Sequence, residues 1–344
     1  MFTFQIVSRY KAGPLWPPAK HFLSISQIFF AGISVTIFTD VAGAAYYCGV
    51  AALRTGADSA HVFCDAAAAS VIRGYTTELV IHPVLDQEYG MEEVDAWLPR
   101  LDCVVIGPGL GRNQSMLGRI SLVLKKIVDL NIPVIIDGDG LWHLVNQPST
   151  LAGYRRAVIT PNTIELTYLY NTFCGQANPA RLPQDKMCED VSVALGKILV
   201  VSKGPVDRIT CGDLALSCQT EGSPRRCDGQ GHILAGVMAV FIHWAVCASS
   251  SPVSSRSVSC SPQPGRSLTV EASITNSPSR GARTGERGGQ SERSLVTAAW
   301  AACHLVRSTA LQAFTRHGRA QSAEHITQDI GTVFQRIYEG HTYI

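Results

Sequence analysis

The sequence predicts an α/β fold: a three-layer α/β/α sandwich with a mostly parallel central sheet. Three observations lead there. Short apolar runs of strand length alternate with longer runs at helical spacing, as expected for strands buried on both faces. Polar, glycine-rich turns follow the apolar runs, which puts them at the carboxyl ends of strands, where open α/β sheets bind ligands. Of 344 residues, 46% are hydrophobic and 16% charged, enough apolar material for one large core.

Taken in order, residues 43–54 are small and apolar at helical spacing, and 59–64 read as a strand. Residues 79–84 form a second strand, closed by His82-Pro83, and 94–98 a short helix. The run 103–106 is a buried strand that enters GPGLGR (107–112). Residues 114–130 have helical period and stop at Asn131-Ile132-Pro133. Strands at 134–136, 157–160 and 198–202 end in DGDGLW, PNTIEL and KGPVD. These turns should share one edge of the sheet and form one long cleft. After EGSPRRCDGQG (221–231) comes an apolar stretch that reads as a buried helix. Helical patterns return at 295–314 and 324–338.

Two segments depart from this alternation. Residues 1–41 form a divergent N-terminal segment with Arg9, Lys11 and Lys20 and no acid before Asp40, a leader-like bias. The apolar stretch 21–38 is interrupted by Ser, Gln and Thr and falls short of the ~20 apolar residues a membrane span needs. Residues 248–293 are rich in Ser, Arg, Pro and Gly and nearly free of large apolar residues, so they read as a disordered insertion. The expected domain is therefore 42–247 plus 294–344, one unit interrupted once.

A net charge of +2 argues against a nucleic-acid binder, which would carry a basic stripe. Eleven cysteines without a CxxC pair or zinc-ligand spacing read as free thiols in a reducing compartment, mitochondrial or cytoplasmic. His61, His82 and His143 have no partner pattern and read as ordinary histidines.

The chemistry concentrates in the turns. A helix N-terminus carries unpaired N–H groups and partial positive charge, so the loop before the apolar helix is an anion site. Gly229 and Gly231 permit close approach of a phosphate, and Arg225 and Arg226 add charge. Asn162 and Glu165 place an amide oxygen and a carboxylate on one helical turn. As an isolated pair they read first as an N-cap with a first-turn acid, and otherwise as a pair that orders a hydrated metal. Asp137 and Asp139 flank Gly138 and read either as Asx turns or as groups that place a metal or orient a substrate. GPGLGR reads as a tight turn or as a backbone contact to ligand.

The ordered set AGAAYYCGVAALRTGAD (42–58), HVFCDAAAASVIRGY (61–75), ELVIHPVLD (78–86), GPGLGR, IPVIIDGDGLW (132–142), ITPNTIEL (159–166), VSKGPVD (201–207) and EGSPRRCDGQG resembles the ATP-dependent NAD(P)H-hydrate dehydratases of the ribokinase-like superfamily. The resemblance covers about 42–247 and 294–338. It implies a ribokinase-like sandwich and a hydro-lyase that uses ATP and magnesium (Mg2+) to restore NADH or NADPH from its (6S)-hydrate. Substrate contacts carried over are Gly109 and the span Asn162, Thr163, Ile164, Glu165, Leu166, Thr167 and Tyr168, with Asn162 and Glu165 acting indirectly on the metal. The ATP site would combine Lys203, Gly204, Pro205, Val206 and Asp207 with a second segment. That segment runs Gly222, Ser223, Pro224, Arg225, Arg226, Cys227, Asp228, Gly229, Gln230 and Gly231. The implied partners are small molecules, with no nucleic acid or membrane, and a homo-oligomer is compatible.

The chain departs from the family pattern at three places. His232 stands where the family has an Asp that takes the substrate proton, so His232 is the expected catalytic and substrate-contacting residue. Asp228 replaces a glycine, and Thr36 and Ile37 stand near the paired glycines that end the family's first strand. Two alternatives follow: an inactive nucleotide-binding homologue, and a small-molecule kinase of the same superfamily.

Overall fold

The structure, a computed structural model, describes residues 34–38, 41–175, 182–250, 275–276 and 286–339. A ten-stranded sheet forms its centre. In chain order the strands are β1 (Ser34–Phe38), β2 (Ser59–Cys64), β3 (Val80–Pro83), β4 (Cys103–Ile106), β5 (Val134–Ile136), β6 (Ala157–Ile159), β7 (Leu199–Ser202), β8 (Asp207–Cys211), β9 (Leu214–Cys218) and β10 (Thr275–Asn276). Their spatial order is β10-β9-β8-β7-β6-β5-β4-β1-β2-β3. From β3 to β7 all neighbours are parallel, and β8 to β10 add antiparallel. The chain winds outward from β1 to β3, then restarts at β4 on the other side of β1. That reversal leaves a crevice at the carboxyl ends of the strands.

Alternation along each parallel strand makes two cores. Cys103, Val105, Ile135, Val158, Leu199 and Val201 face one, while Val104, Ile106, Val134, Ile136, Ala157, Ile159 and Val200 face the other. The first core is closed by α1 (Ala42–Thr55), α2 (Ala66–Tyr75), α8 (Gln230–Ser250), α9 (Glu286–His317) and α10 (Ala323–Phe334). The second is closed by α3 (Gly90–Trp97), α4 (Gln114–Asp129), α5 (Asp139–Asn146), α6 (Thr163–Phe173) and α7 (Gln184–Ala194). The three layers expected from the sequence are present.

α8 is the axial helix of its layer. It is apolar all round because it packs on the sheet, on α1 and on α9 at once. Residues 230–249 are long and apolar enough to cross a membrane, yet 72% of that window is buried within the protein, as in a core helix. Gly236 sets its approach to α1: a Cβ there would lie 2.0 Å from the Cys48 carbonyl oxygen.

Two boundaries move. Ser34–Phe38 pairs with β2 and β4 in mid-sheet, so the domain includes residues before 42. Within 248–293, residues 248–250 end α8, Thr275–Asn276 pairs with β9, and 286–293 open α9. Glu292 also pairs with Arg155. The remainder of that expected insertion, and residues 1–33 of the leader-like segment, lie outside the described residues. Cysteines among the described residues are free thiols. His61 and His82 are buried and in mutual contact, with His82 Nδ1 3.0 Å from Glu93, at the edge of the sheet remote from the cleft. His143 is buried in α5.

Candidate active site

Asp137, the residue after β5, joins the cleft. Its side chain is 1% exposed, and three different strand or helix ends reach it. Thr160 Oγ1 donates to Oδ1 at 2.7 Å from the end of β6, and Lys203 Nζ donates to the same oxygen at 2.6 Å from the end of β7. His232 Nδ1, in the first turn of α8, lies 3.2 Å from Oδ2. Burial alone would push the Asp137 carboxyl up. Lys203 and the His232 contact outweigh it and hold the group well below the usual carboxylate range. Asp137 is thus an enclosed anion satisfied by protein groups and not a ligand open to the cleft. Asp139 accepts from the Gly111 N–H at 3.1 Å and pairs with Arg112, so it braces the GPGLGR turn.

That turn touches the Asp137 turn through bare backbone. Gly107 has φ 119°, and a Cβ on it would sit 1.8 Å from the Asp137 carbonyl oxygen. Asp139 N–H donates to the Gly107 carbonyl at 3.2 Å. Gly109, expected to touch substrate, is half-buried with φ 64° on the same turn.

Asn162 and Glu165 form a reciprocal capping box at the start of α6. Asn162 Oδ1 accepts the N–H groups of Ile164 and Glu165 at 2.9 Å each, and Glu165 accepts the Asn162 N–H at 2.7 Å. Burial pushes the Glu165 carboxyl up, partly offset by Lys203. Among the described residues no three His, Cys, Asp or Glu side chains gather into a direct metal-ligand set. Ile164 (82% exposed) and Tyr168 (49%) lie one turn apart on the open side of α6, with Thr163 exposed and Thr167 half-exposed. Leu166 is 0% exposed and packs in the second core, because its position on the helix faces the sheet.

The KGPVD turn is held by a residue the motif did not contain. Arg307, in mid-α9, donates from Nε to Asp207 Oδ2 at 2.6 Å and from Nη2 to Oδ1 at 2.9 Å. It also donates to the carbonyls of Gly204 at 2.6 Å and Thr220 at 3.2 Å. Asp207 is 6% exposed, so its carboxylate faces Arg307 and the Gly204 N–H instead of an open ligand site. Pro205 is exposed and Val206 half-buried at the tip.

The second expected nucleotide segment folds against α10. Ser223 Oγ donates to Gln321 Oε1 at 2.6 Å, Arg225 donates to the Gln321 carbonyl, and Gln321 itself is 1% exposed. Gly222 lies against Arg307, and Pro224 and Arg226 are exposed. Cys227 is 8% exposed and belongs to the first core, with burial raising its thiol. Asp228 is exposed and accepts the Gly229 N–H at 3.0 Å, taking a donor the anion site would use. Gly229 packs against Tyr47 and Ala323, and Gln230 and Gly231 open α8. A Cβ on Gly231 would stand 3.5 Å from Lys203 Nζ, so the ammonium lies beside the α8 N-terminus. Two positive sources, the lysine and the helix end, therefore coincide where a phosphate is expected.

Sequence reasoning missed Arg307, Thr160 and Gln321. Arg307 left a trace: it is the one charge in the apolar run 295–315, and a charge inside a buried helix must be paired. Thr160 and Gln321 left none, since each is an ordinary polar residue at an element end.

A family profile described as NAD(P)H-hydrate dehydratase matches residues 38–273. The chain is 36% identical over 296 residues to the ATP-dependent (S)-NAD(P)H-hydrate dehydratase of Mus musculus, covering 86% of this chain and 76% of that one. It is 32% identical over 345 residues to the enzyme of that name from Physcomitrium patens, covering 93% and 92%. Among solved structures, the Bacillus subtilis ADP/ATP-dependent NAD(P)H-hydrate dehydratase co-crystallized with ATP/Mg2+ superposes with a TM-score of 0.57 at 15% identity, covering 90% of each chain. That likeness speaks to the fold. On the profile match and the extent of the sequence similarity, the chain belongs to the NAD(P)H-hydrate dehydratase family.

Proposed function

We propose that this chain removes water from the (6S)-hydrate of NADH or NADPH at the expense of ATP, releasing ADP and phosphate. The observation that carries the reading is the meeting of Lys203, Asp137 and His232 at the N-terminus of α8. Phosphoryl transfer needs positioning and charge stabilisation more than covalent help. Lys203 and the helix end supply positive potential for the transferred phosphoryl group. The substrate hydroxyl loses its proton to the His232 imidazole as its oxygen bonds to the γ-phosphorus, and the bond to ADP breaks. The C–O bond of the new phosphate ester then breaks to release inorganic phosphate, the adjacent ring carbon gives its proton to water, and that electron pair re-forms the ring double bond. The exposed Ile164 and Tyr168 offer apolar surface to a reduced nicotinamide ring.

Magnesium, when bound with the nucleotide, would neutralise triphosphate charge. With no direct ligand cluster among the described residues, it would sit on phosphate oxygens and water, with Glu165 as the carboxylate partner of that water.

The test is recovery of dihydronicotinamide absorbance from the purified hydrate with ATP and magnesium, for this chain and for His232→Asp. Proton-acceptor help is typically worth about 10²–10⁴-fold in rate. The imidazole differs in length from the family's carboxylate and forfeits part of that. His232→Asp should therefore turn over faster. No recovery by either protein sinks the reading. His232 and Asp228 favour one second reading, a homologue that binds nucleotide without turnover. Magnesium-dependent ADP binding by calorimetry, with no recovery in either protein, selects it.

A further inference from the structure

We infer that Asp137 is a positioning residue that locks His232 as the Nδ1–H tautomer and turns its bare Nε2 away from the protein interior, toward the cleft. The inference rests on the dehydratase reading for its catalytic meaning and on geometry for its existence.

Asp137 Oδ1 is saturated: Thr160 and Lys203 both donate to it, at 2.7 and 2.6 Å. Only Oδ2 remains for His232, and Nδ1 lies 3.2 Å from it. A carboxylate that already receives an ammonium and a hydroxyl proton is acceptor-only, so the ring nitrogen facing it must carry the hydrogen. In a neutral imidazole the other nitrogen is then the acceptor. The burial contrast orients the ring: the Asp137 side chain is 1% exposed and that of His232 28%, so the Nδ1 edge faces inward and the Nε2 edge outward. The carboxylate has no freedom to follow the ring, because Thr160 and Lys203 fix it from two other strands. The surroundings agree: Lys203 and the His232 contact outweigh the effect of burial and keep Asp137 ionised, and an ionised partner stabilises the imidazolium formed when Nε2 takes the substrate proton.

This arrangement gives a physical account of how a histidine can occupy a position at which the family carries a carboxylate. A lone carboxylate needs no tautomer control. An imidazole does, and here an enclosed acid at the end of the neighbouring layer supplies it.

Two measurements test the assignment. The first uses the full-length protein labelled with 15N-histidine. The His232 spectrum, identified by its loss in His232→Ala, should show a protonated Nδ1 and a pyridine-type Nε2. A protonated Nε2 with bare Nδ1 overturns the inference. The second is a double-mutant cycle in the hydrate assay. Asp137→Asn should lower kcat by about tenfold or more, up to the ~10²–10⁴-fold that the general base as a whole is worth, with the KM for ATP changed less than about twofold. In the His232→Ala background the same substitution should change kcat less than about twofold, because its effect passes through the ring. Equal losses in both backgrounds overturn the inference and assign Asp137 to Lys203 or to folding. An Nδ1–H signal in a chain that recovers no dihydronicotinamide refutes the dehydratase reading while leaving the hydrogen-bonded pair in place. The spectral arm needs no Asp137 variant to fold.

Discussion

Replacing Arg307 with methionine should damage both stability and nucleotide affinity. Both side chains are largely buried, and the pair is bidentate. Burial alone would favour the neutral guanidine, but Asp207 overrides it and raises the Arg307 pKa, so the charge persists. Methionine fills similar volume and leaves the Asp207 carboxylate buried without its cation, while the carbonyls of Gly204 and Thr220 each lose a donor. Breaking a buried pair from one side costs about 3–5 kcal/mol, because the remaining charge is uncompensated. At about 2–4 °C per kcal/mol for a chain of this size class, the melting temperature should fall by roughly 6–20 °C. The KGPVD turn, which hangs on the same guanidinium, should loosen, and ATP affinity should fall with it. Urea unfolding followed by circular dichroism gives the stability, and calorimetry with ATP and magnesium gives the affinity. The companion Asp207→Asn/Arg307→Met should be more stable than Arg307→Met alone, since it removes the stranded charge. If Arg307→Met unfolds within about 1 kcal/mol of the unmodified chain, the loss is far below the range for a buried pair, and Arg307 is not the clamp of the nucleotide turn.

Three further outcomes are expected. Gly107→Ala places a Cβ 1.8 Å from the Asp137 carbonyl oxygen at a φ of 119°, so it should cost more than the ~1 kcal/mol typical of a Gly/Ala backbone effect and lower soluble yield; an unchanged melting curve would contradict the close approach of the two turns. Glu165→Gln should keep the capping box, because an amide oxygen also accepts the Asn162 N–H. Burial raises the Glu165 pKa, so its ionised form costs stability at neutral pH, and that cost is relieved as pH falls through the folded value toward the unfolded value of about 4.3. The variant should therefore equal or exceed the unmodified chain in melting temperature at pH 7, with the gap closing in acid, while its turnover becomes less responsive to magnesium; a variant clearly less stable at pH 7 would show the carboxylate to be structural. Burial pushes the Cys188 thiol up to about 12 and the Cys211 thiol up to about 11, so both stay protonated and unreactive in the folded protein at neutral pH. Mass spectrometry after maleimide treatment should find them labelled only in denaturant, and prompt labelling of either in the native state would contradict its enclosure.

Much of the architecture was legible along the chain. The strands at Ser59–Cys64, Cys103–Ile106 and Val134–Ile136 form at the residues expected, the last two because a run buried on both faces is continuously apolar and ends abruptly at its glycine turn. The antiparallel hairpin of β8 and β9 was not among the expected elements, although Gly212-Asp213 is a turn signal between two short strand-length runs. The short helix α5 was likewise hidden inside the DGDGLW motif. The N-x-x-E pair shows the ambiguity most plainly. Its spacing is equally that of a cap and of a metal organiser, and the two hydrogen-bonded arms seen here are those of a cap.

What the sequence determined by itself was local or ordered along the chain: the alternation of elements, the placement of turns at strand ends, the family, and the presence of His232 at the head of α8. These follow from periodicity and from backbone chemistry that acts over a few residues. Which charges meet was decided by the tertiary structure alone. Asp137, Thr160, Lys203 and His232 come from four segments spread over 95 residues between Asp137 and His232, and Arg307 reaches Asp207 across 100. No local signal encodes such distances, because they depend on the winding order of the sheet and on which face each helix covers. A buried carboxylate must find its donors wherever the fold brings them, and here the fold brings them to the one edge where the parallel strands end.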